Sequence, residues 1–123
     1  MTQVDKEKLQ QLVDDQLIVG IACLTPKNSI HGTPVWITTN GNEIFFYSKE
    51  ERKKIQYLKN DPNCTVIFNN GTVKGVAEIV PKDDKRFIDN YSYLDSRYSD
   101  NSNYKTYKNN WDVMVLITPK KIY

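Results

Sequence analysis

Histidine is almost missing from this 123-residue chain and cysteine is scarce: His31 stands alone, and Cys23 and Cys64 form no CxxC pair. A zinc site built from imidazole and thiolate therefore lacks ligands, and no metal is expected. Cys23 lies inside an apolar run and Cys64 just before one, Val66 to Phe68, which suits two buried thiols in a reducing compartment better than a disulfide. Long apolar runs are missing too. The longest, Leu17 to Leu24, is eight residues, far short of the roughly 18 that a membrane-spanning helix needs. The start, Met1 to Glu7, has no basic stretch leading into an apolar one, so no secretory signal is read there and a cytoplasmic protein with no membrane partner is expected. Nor is there an excess of one charge. Seventeen Lys and Arg against fifteen Asp and Glu leave +2, which argues against disorder and against nucleic acid as a partner. At this length one domain, residues 1–123, is expected.

What is present is 39% apolar and 11% aromatic residues, arranged in short runs with clear turn signals. Leu9, Leu12 and Val13 recur at helical spacing after Asp5, a plausible N-cap, and predict a helix from Asp5 to Asp15. Leu17 to Leu24 and His31 to Thr38 read as strands either side of Thr25-Pro26-Lys27-Asn28-Ser29. Asn40-Gly41 tolerates the positive φ of a tight hairpin, from which Glu43 to Ser48 pairs back. Helix formers then run from Lys49 to Lys59, with Ile55 and Leu58 on one face and Asp61-Pro62 as the stop. Cys64 to Phe68 and Val73 to Val80 flank the turn Asn69-Asn70-Gly71. Phe87, Ile88, Tyr91 and Leu94 mark a helix from Asp83 to Asp95. Ser96 to Asn110 has few aliphatic residues and reads as a surface excursion or lid, either irregular or in part helical. Asp112 to Pro119 is a last strand, apolar enough to be buried on both sides. The sum is a mainly β chain: six antiparallel strands curling into a small barrel with a few helices.

A barrel of that size is filled by its own side chains, so a ligand would sit outside, at a seam or a subunit boundary. The densest cationic cluster is Lys49, Arg52, Lys53, Lys54 and Lys59, beside Ser48 at a strand end. A helix N-terminus, a hydroxyl and ammonium groups together suit a phosphate. The plainer reading is a solvated helix face with Glu50 pairing to Lys54. Trp36 is either core or the wall of a cofactor site. His31 is either a proton or hydrogen-bond donor or a structural residue opening a strand. Tyr91, Tyr98, Tyr104, Tyr107 and Trp111 either cover a ligand or pack the late helices.

Three pieces resemble the flavin-binding split barrels related to pyridoxamine 5′-phosphate oxidase, including their deazaflavin-using relatives. His31-Gly32-Thr33-Pro34-Val35-Trp36 is similar to the family's second-strand motif, whose backbone borders the isoalloxazine ring. Phe46-Tyr47-Ser48, then Arg52-Lys53-Lys54, then Pro62, is similar to its strand, basic helix and DP turn. The likeness runs from Ile18 to Val80, with a looser match over Trp111 to Tyr123. It implies a six-stranded split barrel of the FMN-binding type, with Thr33, Pro34, Val35 and Trp36 at the ring, Ser48, Lys53 and Lys54 at the phosphate, and Trp111 near the ring. It implies FMN or a deazaflavin as cofactor, a homodimer with its sites at the subunit interface, and hydride transfer to or from a small organic substrate. No catalytic acid or base is assigned, so a flavin carrier or sensor without turnover stays open. The oxidase proper has Arg where this chain has Thr33, Ser where it has Arg52, and an Arg and His pair near the carboxy terminus where it has Pro119 to Tyr123. These departures argue against pyridoxamine phosphate as the substrate. Binding of single-stranded nucleic acid through Tyr and Lys is the third reading, and the balanced charge disfavours it.

Overall fold

The structure, a computed structural model, describes residues 4–123 apart from the Lys108 side chain. The first three residues, read above for a signal, lie outside that range. Among the described residues, seven strands form one antiparallel sheet: β1 (Ile18–Leu24), β2 (Ile30–Trp36), β3 (Thr38–Thr39), β4 (Ile44–Ser48), β5 (Asn63–Phe68), β6 (Gly71–Pro81) and β7 (Val113–Ile122). Their spatial order is β2-β1-β5-β6-β7-β4-β3. The strand expected over His31 to Thr38 breaks at Ile37 into β2 and β3, which makes seven strands where six were expected. Only Thr38 and Thr39 pair back onto β4, through a turn in which Gly41 takes φ 97°.

That break closes the barrel. β2 and β3 are the two edges of the sheet, yet Ile37 alone joins them. Laid flat, six inter-strand steps of about 4.8 Å would hold those edges ~29 Å apart. Two peptide units span only about 7 Å, so the sheet must curl until its edges meet. The closure is incomplete: β2 pairs only with β1, and β4 only with β3 and β7. Between β2 and β4, among the described residues, runs a seam without ladder hydrogen bonds.

The alternation of side chains along β4 and β7 serves two cores. Ile44, Phe46, Val113, Val115 and Ile117 point into the barrel with Val19, Ile21, Val66 and Val73. Phe45, Tyr47, Met114 and Leu116 point outward beneath the late helices. The expected burial of the last strand on both sides is thus observed over Val113 to Ile117. Helix α1 (Lys6–Asp14) adds Leu9, Leu12 and Val13 to the barrel core, and its N-cap Asp5 accepts from the amides of Glu7 and Lys8. Helix α2 (Lys53–Asn60) adds Ile55 and Leu58.

The helix expected over Asp83 to Asp95 is two helices, α3 (Lys85–Asp89) and α4 (Tyr91–Tyr98), divided at Asn90. The Asn90 side chain bonds the Arg86 carbonyl at 2.9 Å and accepts from Asn40 at 3.1 Å, a local competition with the helix that asparagine favours. The segment Ser96 to Asn110 takes the helical alternative. It completes α4 and forms α5 (Ser102–Tyr107) and a 3₁₀ turn over Lys108–Asn110, and it buries Tyr98 and Tyr104 in the outer core. Cys23 and Cys64 are buried and free, as expected. They face each other across β1 and β5, but their thiols point apart, to the carbonyls of His31 and Gly75. Burial pushes the Cys64 thiol up to about 12.

Candidate functional site

A cleft of about 880 Å³ opens along the seam between β2 and β4 and ends at the start of α2. Thr33, Pro34, Val35, Trp36, Ser48, Lys53, Lys54 and Trp111, read from sequence as site residues, all line it. One wall is β2. As an edge strand it turns the backbone groups not bonded to β1 toward the seam, and Pro34 removes one N–H from that edge, which leaves the strand less able to pair with another. His31, Thr33 and Val35 share the face of β2 that looks into the barrel, while Pro34 and Trp36 share the outer face.

The opposite end of the cleft is basic. β4 stops at Ser48, which is buried and whose hydroxyl makes no hydrogen bond to the described residues. The chain then turns, with the Arg52 amide on the Lys49 carbonyl at 3.0 Å, before α2 begins at Lys53. The expected helix thus starts four residues late. Consequently Glu50 lies outside it and pairs with Lys59, not Lys54, and both turn away from the cleft. Arg52 occupies the N-cap and offers no side-chain acceptor, where Ser, Thr, Asn or Asp would bond the first amides. The amides of Lys53 and Lys54 accordingly find no acceptor among the described residues. Two free N–H groups at the positive end of a helix, flanked by their own ammonium groups, form a seat for an anion.

Lys49, Arg52, Lys53 and Lys54 line this end against one carboxylate, Glu51. Lys54 is half-buried with its Nζ 5.9 Å from the centre of the Phe46 ring. Burial pulls its pKa below the ordinary lysine value, and the nearby Arg52 adds to the effect. His31 also lines the cleft, its ring edge-on to Tyr57 of α2 at 5.2 Å.

The aromatic wall is packed rather than open. Trp36 touches Tyr98, Tyr104, Tyr107 and Trp111, with ring centres 5.8 to 6.4 Å apart. Trp111 stacks on Tyr47 at 5.9 Å with planes 19° apart. Tyr98 and Tyr104 are therefore core, whereas Tyr107 and Trp111 reach the cleft. Tyr47, part of the Phe46-Tyr47-Ser48 likeness but given no site role from sequence, and Asn110 also line it. The signal for Tyr47 was its place before Ser48 on a strand buried on both sides, which allows one face to border a ligand.

A conserved hypothetical protein of Mycobacterium tuberculosis superposes with a TM-score of 0.76 at 20% identity, covering 98% of this chain and 83% of that one. A protein described as an F420 reductase gives 0.65 at 20% identity, covering 93% and 94%. The heme storage protein HutZ of Vibrio cholerae gives 0.74 at 9% identity, covering 95% and 92%. At these identities the likeness is one of fold. No curated protein matches the sequence. The sequence model of one family does match, over residues 5–123, and it spans the seam, the basic turn and the last strand alike: the chain belongs to the pyridoxamine 5′-phosphate oxidase family.

Proposed function

We propose that the chain is an oxidoreductase that holds FMN or a deazaflavin in the seam cleft and passes hydride to or from a small organic substrate. One observation carries the reading: the unbonded amides and side chains of Lys53 and Lys54, beside the free hydroxyl of Ser48, lie in the same cleft as the Pro34-Val35-Trp36 edge and Trp111. The residues fit a planar ring that ends in a phosphate. Thr33 to Trp36 offer backbone polar groups at an open strand edge, Trp111 an apolar wall, and the α2 start a cationic seat. When bound, such a cofactor supplies the hydride chemistry itself. The task of this chain's residues is to hold the phosphate, to orient the ring along β2, and to keep water from it with Trp36, Tyr107 and Trp111.

A second copy of the chain would complete the site. Ile18, Gly20, Ala22 and Leu24 share an outward face with Ile30, Gly32, Pro34, Thr65 and Ile67, and none of these is charged. Ile18, Pro34 and Trp36 carry that face into the cleft, so a protomer seated on it would close the cofactor site from outside.

The test is an absorption spectrum of the protein as isolated, mass analysis of any released chromophore, and titration of the apoprotein with FMN. Lys53→Ala with Lys54→Ala is expected to lose cofactor while keeping the parent's far-ultraviolet circular dichroism. A double variant that holds cofactor as tightly as the parent overturns the phosphate assignment. Turnover with NAD(P)H or a reduced deazaflavin separates an enzyme from a carrier, which binds without substrate-dependent reoxidation. A second reading rests on His31, the chain's single imidazole, lying in a cleft with apolar walls and cations: heme with an imidazole ligand. It predicts a Soret band that His31→Ala shifts, in place of a flavin spectrum.

A further inference from the structure

The turn that aims α2 at the cleft is not fixed by α2 alone. Asp112, 62 residues away from Glu50 in the chain, accepts the Glu50 amide on its Oδ1 at 2.7 Å, and its own amide donates to the Ser48 carbonyl at 3.1 Å. These two bonds grip the chain on both sides of Lys49. From the other side, the Gln56 side chain donates to the Glu50 carbonyl at 2.8 Å and Lys59 pairs with the Glu50 carboxylate. The Glu50 residue is thus held at its N–H by Asp112 and at its C=O by α2. One residue earlier, Trp111 stacks on Tyr47, the neighbour of Ser48. The strand end, the anion seat and the aromatic wall therefore meet at a single dipeptide, Trp111-Asp112.

Asp112 lies outside the cleft lining, and its carboxylate would repel an anion bound nearby. Its charge opposes the site, so any benefit it brings to binding must come through geometry. We infer that Asp112 is a positioning residue: by anchoring the Glu50 amide, it holds the Lys49 to Arg52 turn so that the Lys53 and Lys54 amides and the Ser48 hydroxyl converge on one phosphate. This rests on the cofactor reading above and assigns to that site a residue that touches no cofactor.

Geometry and charge make opposite predictions for two variants. Asp112→Ala removes the acceptor, whereas Asp112→Asn keeps an acceptor oxygen and removes the negative charge. The readout is the ratio of affinities for FMN and for riboflavin, which share the ring and differ by the phosphate, measured by fluorescence titration of the apoprotein. Asp112→Ala is expected to weaken FMN by about tenfold, the worth of one charge-assisted hydrogen bond, while riboflavin affinity stays at the parent's value. Asp112→Asn is expected to match the parent or bind FMN more tightly. Glu50→Pro deletes the donor in place of the acceptor, at the second position of the turn, which proline favours. It must behave as Asp112→Ala does, and Glu50→Ala, which keeps the amide, must not. This second pair keeps the inference open to refutation if Asp112→Ala does not fold. Should the parent prefer FMN and Asp112→Ala or Glu50→Pro keep that preference, the inference alone is overturned. A parent that binds both ligands alike overturns the phosphate reading, and this inference with it.

Discussion

Lys54 carries its ammonium group to a half-buried position over Phe46, where lost hydration lowers its pKa and the neighbouring Arg52 lowers it further. A folded pKa below the unfolded value of 10.5 means that, between the two, the unfolded chain binds more protons. The residue then costs stability at neutral pH, and the cost is relieved as pH rises through the folded value. An anion in the cleft reverses this by giving the charge a partner. Lys54→Met keeps the stem and removes the charge, so the ligand-free variant is expected to melt above the parent at pH 7 while its FMN affinity falls. Thermal melts with and without FMN check both halves, and a ligand-free variant that melts below the parent sinks the argument. In the parent, FMN affinity is expected to decline with rising pH before the ordinary lysine value is reached. The sequence showed that Lys53 and Lys54 were cationic and near a helix start. It did not show that Arg52 would stand at the N-cap, because the turn over Lys49 to Arg52 is held by Asp112, a residue remote in the chain.

At the scale of elements, the segment after β6 shows most clearly what sequence withheld. Helices α4 and α5 have almost no aliphatic residues, and a pattern search for buried Leu, Ile and Val finds only Leu94 there. Tyrosine supplies the core instead. A buried tyrosine needs a partner for its hydroxyl, and that of Tyr98 finds the carbonyls of Ile37, at 2.8 Å, and of Leu17. Arg97 beside it donates to the carbonyls of Val13 and Gln16, where α1 ends. All four partners lie about 60 residues or more away, so no local window reveals them. Together these bonds pin α4 to the end of α1 and to the Ile37 junction, the link that closes the barrel. Tyr98→Phe keeps the ring against Trp36 but leaves the buried Ile37 carbonyl short of a donor, at a cost of about 1–3 kcal/mol. Chemical denaturation should show that loss with an unchanged dependence on denaturant. A variant as stable as the parent would place the anchoring of α4 in Arg97 and the ring contacts alone. By contrast, α1, the β1–β2 turn and the β5–β6 hairpin were legible, because Asp5, Asn28 and Asn69-Asn70-Gly71 act on their own neighbours.

For the whole molecule, barrel closure leaves an uncharged outer face rich in exposed isoleucine. The β2-β1-β5 face is the outside of the closed sheet and faces water. On it Ile30 is 76% exposed, Ile18 52% and Ile67 47%, with Gly20, Ala22 and Gly32 between them. Apolar groups around small residues allow close approach by a second surface, and a stable pair needs roughly 800 Å² from each partner. Because this face runs into the cleft at Ile18, Pro34 and Trp36, pairing and cofactor retention should be linked. Ile67 separates the two effects, since it lies on the face but not in the cleft. Its partners on the sheet are Gly20 and Thr72, so a charge there buries nothing in one protomer, and Ile67→Lys is expected to change monomer stability by about 0.5 kcal/mol or less. Light scattering coupled to size exclusion should find a dimer for the parent and a monomer for the variant. FMN titration of the same samples should show weaker binding by the variant, although no cleft residue has changed. A variant that turns monomeric yet binds FMN like the parent would show that each protomer holds its cofactor alone. A monomeric parent would remove the second copy from the proposal and leave the exposed isoleucines without a partner.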